Sequence, residues 1–179
     1  MTATREQADE LLKGIAGPHA ALRDDQWTAI DSLVNQRKRM LVVQRTGWGK
    51  SAVYFIAAKL LRGAGEGPSI IVSPLLALMR NQVEAAARAG IRAATINSAN
   101  MTQWEEIQAG VDDLDLLLIS PERLNAPGFR EEVLPQLAQS VGMLVVDEAH
   151  CISDWGHDFR PDYRRIALLI SDLPANTPV

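Results

Sequence analysis

Cysteine is all but missing: Cys151 is the single one in 179 residues. One thiol closes no internal disulfide and builds no multi-thiolate metal site. Long apolar runs are missing as well. The longest, around 114–119 and 141–146, fall far short of the roughly 20 residues that a membrane helix needs. The amino-terminal stretch carries Arg5, Glu6, Asp9, Glu10 and Lys13, which leaves no apolar leader core. These absences predict a cytoplasmic protein with no membrane partner. Positive charge is not in excess either. The formal net charge of −4 gives no support to nucleic-acid binding and mildly opposes it, unless one face is locally basic. Repeats, low-complexity tracts and linker-like stretches are absent, which predicts one domain over 1–179.

What is present is an alternation. Hydrophobic residues make up 47% and charged residues 22%, the balance of a globular chain with a core. Short apolar runs at 39–43, 69–72, 93–96, 114–119 and 142–146 read as strands. Helical patterns fall between them, at 51–61, 75–89, 102–109 and 129–138. Two more helices precede the first strand, at 6–13 and 24–35, and one follows the last, at 161–171. Near-continuous apolar strands are expected where both faces of a sheet are covered. Strand–helix–strand repetition predicts an α/β fold: a central, mainly parallel sheet flanked by helices. Ligands of such sheets bind beyond the carboxyl ends of the strands, so the loops after 43, 72, 119 and 146 are where chemistry is expected.

The first of these loops runs Gln44-Arg45-Thr46-Gly47-Trp48-Gly49-Lys50-Ser51 into a helix. Such a loop wraps backbone N–H groups around phosphates, and the helix N-terminus adds partial positive charge. Gly47 and Gly49 let the backbone approach an anion closely. Lys50 is placed to reach the β- and γ-phosphates, and the Ser51 hydroxyl to hold Mg²⁺. The full phosphate-loop pattern has glycine where this chain has Gln44. A bulky Trp48 is expected to turn its indole away from the phosphates.

The last apolar run ends in Asp147-Glu148-Ala149-His150. A carboxylate at this place holds magnesium, usually through water, and the next one orients the attacking water as base. Asp147 is the metal-side candidate, Glu148 the base, and His150 completes the box as a further catalytic candidate. Paired with the phosphate loop, this constellation predicts ATP and Mg²⁺ as cofactors.

The stretch from Asp147 to Tyr163, which continues through Cys151-Ile-Ser-Asp-Trp-Gly-His-Asp-Phe-Arg-Pro-Asp, resembles RecQ-family superfamily-2 DNA helicases. The resemblance extends over about 22–165. It implies the RecA-like first motor domain of such an enzyme, and ATP-driven movement 3′ to 5′ along DNA. By position it implies that Trp155, His157, Phe159 and Arg160 form an aromatic-rich loop that senses single-stranded DNA and couples it to ATP hydrolysis. The residues agree on their own terms, because aromatic faces stack bases without regard to sequence, and arginine adds phosphate or π contacts. Leu22-Arg23-Asp24-Asp25-Gln26 resembles the family's adenine-reading segment, with Gln26 pairing the base edge and Arg23 covering the ring. The segment 72–82, with Pro74 and Gln82, resembles the family's motif Ia. Asn97-Ser98 and 120–124, with Arg123, resemble its later DNA-side motifs. Such groups hold phosphates without reading sequence.

The resemblance also implies single-stranded and partly duplex DNA as partners, together with a second motor domain of the same longer protein. That second domain would bring arginine fingers, worth roughly 10³–10⁵ in rate. The isolated chain is therefore expected to hydrolyse ATP poorly. Two rival readings are a nucleotide-regulated nucleic-acid-binding module without turnover, and an RNA helicase motor domain.

Overall fold

The computed structural model describes residues 2–74, 76–96, 109–152, 163 and 166–179. Two helices lead: α1 (Arg5–Ala16) and α2 (Asp24–Val34). Thr4 starts α1 by accepting from the backbone of Gln7, whose side chain in turn accepts from the Thr4 N–H. This reciprocal cap satisfies two otherwise orphaned donors. After α2 come α3 (Lys50–Gly63), β1 (Ser69–Val72), α4 (Leu76–Arg88) and β2 (Ala93–Ile96). Next are β3 (Leu116–Ile119), the short α5 (Pro121–Leu124) and a π-turn at Phe129–Val133 that runs into α6 (Leu134–Ser140). The chain then forms β4 (Met143–Val146), a 3₁₀ turn at Ala149–Ile152 and α7 (Ile166–Asp172). None of the described helices is long and apolar enough to cross a membrane.

The four strands form one parallel sheet in the order β2-β3-β1-β4. Val72 pairs with both Ile119 and Val146, and Ile119 with Ile96, so the carboxyl ends finish level. Although β1, β3 and β4 read as unbroken apolar runs, they still divide their side chains by the period of two that a pleated strand imposes. Ile71, Leu116, Leu118 and Met143 join a core with α1, α2 and α3. Ile70, Val72, Leu117, Ile119 and Leu144 join a second core with Phe129, Leu137, Tyr163 and Ile166. The sheet is thus covered on both faces, as the apolar runs predict.

At the far edge the structure departs from expectation. Residues 39–43 form no strand. They run free of the ladder, and Leu41 and Val43 are 76% and 80% exposed. Residues 177–179 lie between this segment and β4: the Leu144 N–H donates to the Pro178 carbonyl and the Met40 N–H to the Val179 carbonyl. With only one backbone bond on its inner side among the described residues, the apolar segment has no ladder to join. The expected helix at 102–109 lies outside the described residues, except for its last residue.

At the opposite, amino-terminal end of the strands, Asp115 is buried. It gathers the Lys59 ammonium at 3.0 Å, the Arg92 guanidinium at 3.3 Å and the Arg92 backbone N–H at 2.8 Å. Burial pushes the Asp115 carboxyl up, but these donors outweigh it and hold it below its ordinary value. The cluster ties α3 to the root of β3 and leaves the carboxyl ends of the strands for the site.

Candidate nucleotide-binding site

The loop from Gln44 to Gly49 turns twice through left-handed backbone, at Gly47 (φ 81°) and Gly49 (φ 91°). At Gly49 glycine is needed twice over, because a Cβ there would meet the Gln26 amide nitrogen at 2.8 Å. The Trp48 N–H closes a turn on the Arg45 carbonyl at 3.2 Å. Lys50 opens α3, and its ammonium bonds the Gln44 carbonyl at 3.1 Å and the Arg45 carbonyl at 3.5 Å. The lysine thus lies folded against its own loop. Ser51 follows in the first turn, with its hydroxyl accepting from the Tyr54 hydroxyl at 3.1 Å. Thr46 and Gly47 are exposed at the tip.

Arg23 and Gln26 both meet this loop. The Gln26 amide nitrogen donates to the Trp48 carbonyl at 2.9 Å, and the Arg23 guanidinium donates to the same oxygen. The indole of Trp48 is buried and turned toward α2, where its N–H bonds Asp25 at 2.8 Å. Gln26 is itself buried, so the two residues expected to read a base are joined to the phosphate loop.

Across the cleft, β4 delivers Asp147. Its carboxylate accepts from the Ser73 hydroxyl at 3.2 Å and from the Glu148 N–H at 3.0 Å. Its backbone N–H bonds the Val72 carbonyl, continuing the ladder one step past β4. Glu148 adopts a left-handed conformation (φ 52°) that non-glycine residues rarely hold. Backbone of this kind persists only where its surroundings enforce it. Here the Cys151 N–H bonds the Glu148 carbonyl and His150 lies 3.2 Å from the Glu148 carboxylate. Gln44, Trp48 and Lys50 line a cleft of about 470 Å³ together with Asp147, Glu148 and His150, and the rest of its lining is mostly apolar. Both halves of the expected site therefore open on the same space at the carboxyl edge of the sheet.

A family model described as DEAD/DEAH box helicase matches residues 23–178, nearly the whole chain. The chain belongs to the DEAD/DEAH box helicase family. Within it the chain is RecQ-like. It is 40% identical over 172 residues to the ATP-dependent DNA helicase RecQ of Bacillus subtilis, covering 93% of this chain and 27% of the relative. It is 34% identical over 157 residues to the ATP-dependent helicase SGS1 of Saccharomyces cerevisiae, covering 85% of this chain and 11% of the relative. The chain thus spans about a quarter or less of these curated relatives. A solved structure of a hypothetical ATP-dependent RNA helicase from Sulfolobus tokodaii superposes with a TM-score of 0.69 over 98% of this chain and 49% of that one. At 20% identity that likeness speaks for the helicase α/β fold alone.

The residues expected on the DNA side are less completely placed. Pro74 follows β1 and is half-buried; Gln82 lies on α4. Arg123 lies in α5, where its N–H bonds the Ser120 hydroxyl at 3.3 Å. Asn97, Ser98, Trp155, His157, Phe159 and Arg160 lie outside the described residues. Four contributors escaped sequence reasoning: Asp25, Tyr54, Ser73 and Tyr163. Each acts through a residue already singled out; Asp25, Ser73 and Tyr163 stand within stretches that resemble family motifs but had no role of their own there, and Tyr54 stands outside them.

Proposed function

We propose that this chain is the ATP-binding half of an ATP-dependent DNA helicase, acting in the cytoplasm and paired with a second motor domain. The observation that carries the reading is the cleft shared by the phosphate loop and the Asp147–Glu148 strand end. ATP phosphates would lie along the Gly47–Ser51 backbone and the start of α3, with Lys50 leaving the Gln44 and Arg45 carbonyls for the phosphate oxygens. Mg²⁺ keeps most of its shell as water and phosphate and needs only one or two hard oxygen ligands from the protein. The Ser51 hydroxyl and the Asp147 carboxylate, each braced by a neighbouring hydroxyl, suit that demand. Bound there, the ion would neutralise charge on the transferred phosphoryl group.

Glu148 would orient a water toward the γ-phosphorus and accept its proton as the new P–O bond forms. The bond from the γ-phosphorus to the bridging oxygen then breaks, leaving ADP and phosphate. His150 holds the Glu148 carboxylate in place. Trp155, Phe159 and Arg160, a few residues further on, would stack and contact single-stranded DNA and pass its binding to Glu148. The names of the relatives and the spacing of these residues support this reading, and translocation from 3′ to 5′ belongs to the same proposal.

The experiment joins this chain to a second motor domain and follows ATP hydrolysis against single-stranded DNA concentration. Trp155→Ala and Phe159→Ala are expected to abolish the stimulation while leaving nucleotide affinity nearly intact. Full stimulation in both variants would remove the coupling role.

A further inference from the structure

Trp48 stands at the turn of the phosphate loop, and its partners bear on both its side chain and its carbonyl. The indole is 7% exposed. Its N–H donates to Asp25 at 2.8 Å, and the Arg23 guanidinium lies 5.4 Å from the ring centre. Arg23 also pairs with Asp25 at 3.7 Å. The Trp48 carbonyl meanwhile accepts from Gln26 at 2.9 Å and from Arg23. Gln26 is braced in turn, with its amide oxygen accepting from the Arg23 N–H at 3.0 Å.

These contacts fix one peptide plane. The chain has no cis peptide bond among the described residues. In a planar trans peptide the C=O and the following N–H point in opposite directions. Holding the Trp48 carbonyl against Gln26 and Arg23 therefore aims the Gly49 N–H the other way. A loop that wraps an anion needs its N–H groups turned inward before the anion arrives, because a flip made on binding is subtracted from affinity. Gly49 alone, with its positive φ, would leave that plane free to turn.

We propose that Trp48 and Asp25 are positioning residues for phosphate binding. They clamp the Trp48–Gly49 peptide so that its N–H faces the phosphate side of the loop. This rests on the nucleotide site described above, and adds a clamp made by two side chains that need not touch the nucleotide. The clamp also links base and phosphates, since Gln26 and Arg23, the proposed base readers, hold the same carbonyl.

The test titrates the 179-residue chain calorimetrically with ADP and, separately, with inorganic pyrophosphate, both with Mg²⁺. Wild type is compared with Trp48→Phe, Asp25→Ala, Asp25→Asn and the Trp48→Phe/Asp25→Ala double variant. Phe keeps the ring and loses the N–H; Asn keeps one oxygen to accept from the indole. Asp25 is half-exposed, so its variants spare the core. Trp48→Phe and Asp25→Ala are expected to weaken both ligands about five- to tenfold, the scale of one ordinary intramolecular hydrogen bond. Asp25→Asn is expected to stay within about twofold. The double variant is expected to be no weaker than Asp25→Ala alone, because the indole–carboxylate bond that Trp48→Phe removes is already gone in it. Unchanged affinity in folded Asp25→Ala, additive losses in the double variant, or a loss confined to ADP would each overturn the clamp. A folded wild type that binds neither ligand would overturn the nucleotide site itself, and the clamp with it.

Discussion

The hydroxyl of Tyr163 donates a hydrogen bond to the backbone carbonyl of Asp147 at 2.9 Å. Tyr163 closes the aromatic-rich stretch that starts at the Asp147 box, so this bond ties the far end of that stretch back to the strand end that carries Asp147. The ring is 1% exposed, whereas Asp147 is half-buried. Tyr163→Phe keeps the packing and removes the donor. Urea unfolding should show a loss of about 0.5–1.5 kcal/mol, the net contribution of one intramolecular hydrogen bond. A loss below about 0.5 kcal/mol, within the range of ordinary surface changes, would mean that the bond contributes nothing beyond packing.

A second hydroxyl braces the other half of the site. Tyr54 donates to the Ser51 oxygen and so steadies the hydroxyl that is proposed to meet the ion. Partners that orient a ligand are worth roughly tenfold or more in metal affinity. Tyr54→Phe should therefore shrink the gain that Mg²⁺ gives to ADP binding, while ADP alone binds as before. Equal weakening with and without Mg²⁺ would point to a disturbed helix start instead.

Asp115 gives the fold a pH dependence. Its pKa is depressed in the folded chain, so its stabilisation is fully present above its unfolded value of about 3.9. That stabilisation is lost as pH falls through the lower folded value. Asp115→Asn should cost about 1–3 kcal/mol at neutral pH. The gap to wild type should then close as the solution is acidified below pH ~4. A gap that stays constant down to strong acid would show that the Lys59 and Arg92 pairs do not stabilise the fold.

The parallel sheet was legible because β1, β3 and β4 are apolar runs too short for anything but strands. The two halves of the candidate site were legible because Gly47-Trp48-Gly49-Lys50-Ser51 is a glycine-rich turn that opens a helix and Asp147-Glu148 stand at the end of β4. Residues 39–43 misled for a physical reason. An apolar run records what a segment is able to bury, while a strand also needs a neighbour to bond, and here one Val179 carbonyl is the inner partner. The braces stayed hidden for a related reason. Ser73 reaches Asp147, and Asp25 reaches Trp48, across long stretches of sequence. Nothing local in a serine or an aspartate announces such a partner. The reading of Arg23 and Gln26 as free to meet a base gains a qualification, since both are engaged with the Trp48 carbonyl in this structure.

The most direct measurement is a calorimetric titration of ADP into this chain, with and without Mg²⁺, repeated for Lys50→Ala and Asp147→Asn. On the proposed reading Lys50 gives a charged donor to the phosphates, so Lys50→Ala should weaken ADP about tenfold or more under both conditions. On the same reading Asp147 acts through the ion, so Asp147→Asn should leave ADP alone unaffected and remove most of the Mg²⁺-dependent gain. Identical affinities for all three proteins, in either condition, would contradict a Mg-nucleotide site between the phosphate loop and the end of β4.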